Sequence, residues 1–211
     1  MRCEYGPATY SVKNRFVANF EYDVPFGHFS QLPKRLTQGW KALGIFSAQS
    51  GFPFSVVGPY GLLQYGYDSF DGVGARPFLV ATPTYSKSGT QFFSNDVLAN
   101  SAAVAAGGNV TGPFFALPTT TSGGSTVQTL PGNLGRNTFT GPGWWNFDVS
   151  LIKDTHVTER STLQFRAEFF NLPNHPTFGT PNSTLGNPTF GTSTNTATAE
   201  RQIQFGLRFM F

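Results

Sequence analysis

The chain has 211 residues, of which 39% are hydrophobic, 16% aromatic and only 12% charged. That charge content is about half the roughly 25% of an ordinary soluble domain, while 23 Phe exclude disorder for lack of apolar side chains. The 24 Gly and 15 Pro argue against long helices. The net charge is +3 and the pI about 9.1, but Lys and Arg are scattered, and without a basic cluster nucleic acid is not expected as a partner. Cys3 is alone, so neither an internal disulfide nor a cysteine metal site is expected. No window of 18 consecutive apolar residues exists, which excludes a membrane-spanning helix. The opening MRCEYGPATYS has no apolar core segment and is not expected to act as a signal peptide.

Residues 12–24 alternate Phe16, Ala18, Phe20, Tyr22 and Val24 with Arg15, Asn19, Glu21 and Asp23. Period two predicts a strand. Pro25, Gly27 and Pro33 punctuate the connection over 25–38. A second strand is predicted over 39–50, with Trp40, Ala42, Gly44, Phe46 and Ala48 on one face. Gly51 and Pro53 bend it before a short extension to Val57. Residues 59–142 form a long connection without sustained periodicity, uncharged from Val97 to Gly135, with a short helix expected near Asn95–Ala106.

Trp145, Phe147, Val149 and Leu151 then alternate with Asn146, Asp148, Ser150 and Ile152 in a strand predicted over 144–153. A turn is expected at Asp154–Glu159, followed by a strand over 160–171 that sets Leu163, Phe165, Ala167 and Phe169 against Thr162, Gln164, Arg166 and Glu168. Tight pairing of this hairpin puts Asp148 opposite Arg166 and Ser150 opposite Gln164, with Phe147–Ala167 and Val149–Phe165 on the apolar face. The connection 172–200 repeats Pro-Thr-Phe-Gly-Thr at 176–180 and 188–192, read as two related turns. The last strand, 201–211, alternates Ile203, Phe205, Leu207, Phe209 and Phe211 with Gln202, Gln204, Arg208 and Met210.

These strands run to about 10 residues or more, the length that crosses a bilayer rather than the roughly 5–6 of globular strands. Each has one apolar face and one face of Arg, Glu, Asp, Gln and Asn. Aromatic residues sit near strand ends: Trp40, Trp144, Trp145, Phe169, Phe170, Phe209 and Phe211. Shorter connections alternate with long ones. An antiparallel transmembrane β-barrel accounts for all four features. The competing fold is a soluble antiparallel sandwich with its apolar face inward, a lectin-like binding module. Five strands cannot close a membrane barrel, for which about eight is the minimum. Open edges are not tolerated in lipid. The chain is therefore expected to be a piece of a larger barrel, forming alone an open, curved sheet with an apolar convex face.

Several segments carry a resemblance to a known family. They are NRFVANFEYDVPFG (14–27), GWKALGIFSAQSGFPFSV (39–56), GNLGRNTFTGPGWWNFDVSLIKD (132–154), LQFRAEFFNLPNHPTFG (163–179) and RQIQFGLRFMF (201–211). The chain resembles the C-terminal end of TonB-dependent outer-membrane receptors, most closely the Oar-like group with an N-terminal carboxypeptidase-regulatory-like domain. That resemblance implies a barrel of roughly 22 strands in the bacterial cell outer membrane and TonB-driven uptake of a scarce solute. The signal peptide, TonB-contacting segment and plug of such receptors have no counterpart here, so a truncated or fragmentary product is expected. The implied partners are outer-membrane lipid, the remaining barrel and plug, TonB through the missing part, and the barrel-assembly machinery. Phe209 and Phe211 stand where the family carries its assembly signal. An outer-membrane anchor that displays long loops for adhesion is the alternative role.

Gly-x-Ser-x-Gly, P-loop, His-Glu-x-x-His and dinucleotide fingerprints are missing from the sequence, so neither enzymatic activity nor a cofactor is expected. His28 and His156 fall in predicted short connections and His175 in a long one, too dispersed for a shared metal. The candidate lumen-lining residues are Arg15, Glu21, Asp148, Arg166, Glu168 and Arg208, which either meet solute or pair along the wall. Tyr60, Tyr65, Tyr67, Phe70, Phe92, Phe93, Phe114 and Phe115 of the long connection are candidates for ring contact with a ligand or for packing that connection against itself.

Overall fold

The computed structural model describes residues 5–26, 33–60, 76–86, 89–106, 110–130 and 132–211. In chain order the elements are β1 (Arg15–Val24), α1 (Lys34–Thr37), β2 (Trp40–Gln49), β3 (Pro53–Phe54), β4 (Phe78–Leu79), α2 (Asn95–Ala105), β5 (Val110–Thr111), β6 (Phe115–Leu117), β7 (Thr119–Ser122), β8 (Ser125–Gln128), β9 (Phe139–Thr140), β10 (Trp144–Thr158), β11 (Ser161–Phe170) and β12 (Gln202–Met210). They divide between two compact units.

One unit, residues 14–49, 144–177 and 198–211, holds an antiparallel sheet in the order β1-β2-β10-β11-β12. All five predicted long strands are present. The sheet is open, with β1 and β12 as its edges among the described residues. Connections alternate as expected: β1–β2 and β10–β11 are joined at one end, and the long connections leave from the other. Gly39, at φ 78°, supplies the left-handed residue that turns the chain into β2.

The β10–β11 hairpin differs from its predicted register. Arg166 lies opposite Ile152, Glu168 opposite Ser150, Gln164 opposite Asp154, Ala167 opposite Leu151 and Phe169 opposite Val149. The pairing is displaced by four residues because the strand does not stop at Lys153. Asp154–Thr158 continue it, and Thr158 pairs with Ser161 around a two-residue turn. Their polarity marks the strand leaving the apolar layer, while the ladder of hydrogen bonds runs on. A bulge between His156 and Thr158 absorbs one residue. His156 consequently belongs to the strand, with Nδ1 3.1 Å from the Thr162 hydroxyl.

The other unit, residues 1–13, 50–143 and 178–197, gathers most of the two long connections around a core of its own. The described residues of the stretch without periodicity are thus folded rather than a plain loop. Phe54, Val56, Phe93, Val97, Val104, Phe115, Leu117, Leu134, Phe139, Leu185 and Phe190 are buried together. Rings Phe93 and Phe190 stack at 5.4 Å, and Phe93 meets Phe139 edge-on at 5.5 Å. Helix α2 forms where expected and buries Val97, Asn100, Ser101 and Val104, one face at spacings of three and four. The Asn100 side-chain oxygen accepts from the amides of Phe114 and Phe115 at 3.2 and 2.8 Å, so the buried side chain satisfies two backbone amides of the segment packed against the helix. The Tyr60 hydroxyl donates to the Ala105 carbonyl at the helix end, 2.5 Å away. The two Pro-Thr-Phe-Gly-Thr copies are not alike: 188–192 turns through Phe190–Asn187 and Thr192–Thr189 amide bonds, whereas Phe178 bridges extended backbone at Thr196.

Candidate functional site: the two faces of the sheet

Register assigns every side chain of the sheet to a face, because directly paired residues point the same way. Phe20, Gly44, Val149, Phe169 and Ile203 form one transverse row; Tyr22, Ala42, Leu151, Ala167 and Phe205 form the next. This face is apolar throughout except at one end. Rings step across it at 6.2 Å from Phe16 to Phe46 and 6.1 Å from Phe46 to Trp145, and Phe165 stacks on Phe205 at 6.1 Å. Gly44 leaves the space that Phe20 fills, since a Cβ there would collide with the ring. The face is uncovered: Phe205 is 70% and Leu207 71% exposed. A soluble sandwich would bury these side chains, and their exposure here over a continuous sheet is the mark of an apolar surrounding.

Lys153 is the cation on the apolar face, in the row of Trp40 and Phe165 near the short-connection end. Sequence pattern alone missed its setting, because the shortened strand prediction ended on it. Its ammonium donates to the Gln38 carbonyl and, at 3.3 Å, to the Asp154 carbonyl, and lies 5.8 Å from the centre of the Trp40 ring. A long cation tied to backbone oxygens beside an indole is how a chain places charge at the edge of an apolar layer. From Trp145 to Lys153 the strand rises about 27 Å at about 3.4 Å per residue. Tilted, that covers most of a roughly 25 Å lipid-facing band.

The opposite face carries all six charged candidates: Arg15, Glu21, Asp148, Arg166, Glu168 and Arg208. Lys41 Nζ lies 3.2 Å from Glu21 and 3.8 Å from Asp23, and Arg166 lies 3.5 Å from Glu168. Asp148 does not face Arg166. It accepts from the Asn146 side chain and the Asn171 backbone amide, both at 2.8 Å, and so fixes where β11 leaves the sheet. Arg166, Glu168 and Arg208 line a shallow groove with Gln164, Gly206 and Leu207. Two expected girdle residues, Trp144 and Phe170, fall on this polar face, in register with Gln49 and Gln202. Trp145, Phe169, Trp40 and Phe209 remain on the apolar one. Phe211 lies past the end of β12, with its ring 6.1 Å from that of Phe209.

The ring candidates separate differently. Phe93 and Phe115 are fully buried, and Phe92, Phe114 and Tyr60 pack against the same core, so these five hold the unit together. Tyr85 extends the cluster outward, stacked 5.9 Å from Phe93 and edge-on to Phe92 at 5.2 Å. Partial burial raises its phenol above the usual value of 10. Tyr65, Tyr67, Phe70 and His28 lie outside the described residues. His175 packs its ring 4.4 Å from Trp145, while no group of three or more metal-ligating side chains forms among the described residues.

The outer membrane beta barrel domain matches residues 1–204. The chain belongs to that family. As a member of the outer membrane beta barrel domain family it resides in the bacterial outer membrane, and its fold is all-β and antiparallel, without a closed barrel in this chain alone. The apolar face of the barrel domain is accordingly the lipid-facing one and the charged face the lumenal one. No curated protein and no solved structure matches the chain.

Proposed function

We propose that this barrel domain is the C-terminal barrel segment of a TonB-dependent receptor and serves energy-coupled uptake of a scarce solute. The observation that carries the reading is the open sheet. Five long strands with one lipid face and one charged face cannot stand in a bilayer with free edges, so β1 and β12 pair with further strands of a larger barrel. The sequence resemblance over 14–27, 39–56, 132–154, 163–179 and 201–211 supports the receptor class. The long connections, folded around their own core, support a solute-contacting role on the side where they leave the sheet, which this reading makes extracellular. Phe211 then lies at the periplasmic end, where the assembly machinery receives it.

Genetics tests the coupling. Deleting the coding region in its host and deleting TonB should impair growth on the same limiting nutrients, and the double deletion should be no worse than either. Additive defects, or a deletion phenotype that survives unchanged when TonB is removed, overturn energy-coupled uptake in favour of a passive display role.

A further inference from the structure

The connection from β1 to β2 carries charge of one sign. Between Pro25 and Trp40 the sequence has no Asp or Glu, while Lys34 and Arg35 stand side by side in α1. Thr37 is the buried residue of that short helix; Lys34, Arg35 and Leu36 are exposed, Leu36 to 60%.

Two side chains of the apolar face hold this connection at the rim of the apolar layer. The Trp40 indole N–H donates to the Leu36 carbonyl at 2.8 Å, and the Lys153 ammonium donates to the Gln38 carbonyl. Phe26 meets the Trp40 ring edge-on at 6.0 Å. α1 is thus fastened to the apolar side of the sheet end, not to the charged side. Lys153 adds a third cation there. It is only 7% exposed, and its ammonium is held by the carbonyls of Gln38 and Asp154, which orient the charge without neutralising it. Those two bonds use two of its three N–H donors.

The carboxylates at this end of the sheet point elsewhere. Register puts Glu21, Asp23 and Asp154 on the charged face, where the first two meet Lys41 and Asp154 accepts from the Gln164 side chain at 2.9 Å. Glu159 lies in the β10–β11 turn, six residues and roughly 20 Å along the strand beyond Lys153. None of the five long strands sets an Asp or Glu on the apolar face. Three cations beside exposed apolar side chains, at the rim of a lipid-facing layer, complement an amphiphile with an anionic head.

We propose that Lys34, Arg35 and Lys153, with Trp40 beside them, seat the phosphate of an anionic phospholipid whose acyl chains lie along the apolar face. The lipid-facing side follows from the family. Only the leaflet, the inner one, rests on the uptake reading, which makes the short-connection end periplasmic. Binding is measured without transport, so a failure of the seat is distinguishable from a failure of uptake.

The full chain in dodecylmaltoside micelles is titrated with phosphatidylglycerol, phosphatidylcholine and lipid A. NMR follows the Trp40 indole N–H and the amides of Lys34–Gly39. Phosphatidylglycerol should shift these signals saturably, at about tenfold lower content than phosphatidylcholine. Lys34→Gln combined with Arg35→Gln should raise the half-saturating content about tenfold, the scale of two exposed ion pairs. The swap Lys34→Arg with Arg35→Lys keeps both charges and should bind as wild type does. Both side chains are exposed, so unchanged β10 and β11 amide signals in the double Gln variant show that its fold is kept. Phosphatidylcholine as effective as phosphatidylglycerol, or equal half-saturation in wild type and the double Gln variant, overturns the seat. Lipid A bound more tightly than phosphatidylglycerol overturns the inner-leaflet assignment.

Discussion

Asn171 sits where β11 leaves the sheet, at φ 52°, a backbone region that Asn tolerates better than most residues. Its side-chain oxygen accepts from the His175 amide at 3.0 Å. Its side-chain amide donates to the carbonyls of His175 and Ala199, both at 3.2 Å, and its own backbone amide is held by Asp148. One buried residue therefore ties the exit of β11 to the approach of β12. Asn171→Ala loses the side-chain bonds and keeps the unfavourable φ, at about 2 kcal/mol. Hydrogen exchange at the His175 amide should then accelerate about thirtyfold, while Asn171→Gly, relieved of the φ cost, should accelerate less. Equal exchange in wild type and Asn171→Ala would remove the hub. The sequence places Asn171 only as the last residue of the strand predicted over 160–171. It does not reveal that Asp148 spends its carboxylate on that turn, because the partner amide is distant along the chain and belongs to the backbone.

At the scale of elements, alternation in the sequence located the long strands within a few residues but not the β10–β11 register. Alternation reports which face a side chain takes. It is indifferent to a slip by an even number of residues, which preserves both faces. The four-residue displacement is of that kind, and it arose where Asp154–Thr158 turn polar while still paired. Cross-linking decides it. In a Cys3→Ser background, the pair Ser150→Cys with Glu168→Cys stands directly opposite and should oxidise to a disulfide in most molecules. The pair Asp148→Cys with Arg166→Cys is about four residues, or roughly 14 Å along the strand, out of register, beyond the 7 Å reach of a disulfide. Efficient bridging of the second pair and none of the first would restore the tighter hairpin. The core of the other unit was harder to read. Phe54, Phe93, Phe115, Phe139 and Phe190 come from separate short segments, so no window contains the period that their packing creates.

For the whole molecule, low charge beside abundant aromatics has two physical sources. One is the lipid face, where Phe147, Phe165, Phe205 and their neighbours need no core to cover them. The other is a polar but nearly uncharged pair of connections that builds a ring-rich core of its own. The assignment of faces makes a paired prediction. Val149 lies on the apolar face between Gly44 and Phe169, well inside the band that Lys153 and Trp145 delimit. Ser150 is its immediate neighbour on the charged face, between Leu43 and Glu168. Val149→Arg puts a cation into hydrocarbon at about 2–4 kcal/mol and should sharply lower the amount recovered in urea-washed outer membranes. Ser150→Arg adds the same charge one residue away, beside the Glu168 carboxylate, and should leave recovery close to wild type. If the two variants fall equally, neither face is lipid and the strands pack as in a soluble sheet. If Ser150→Arg alone falls, the faces are inverted, and Arg15, Glu21, Arg166 and Arg208 would have to be explained as charges in lipid. The cost of that arrangement, several charged side chains of both signs in lipid against one snorkelling lysine, is the physical reason to expect the first outcome.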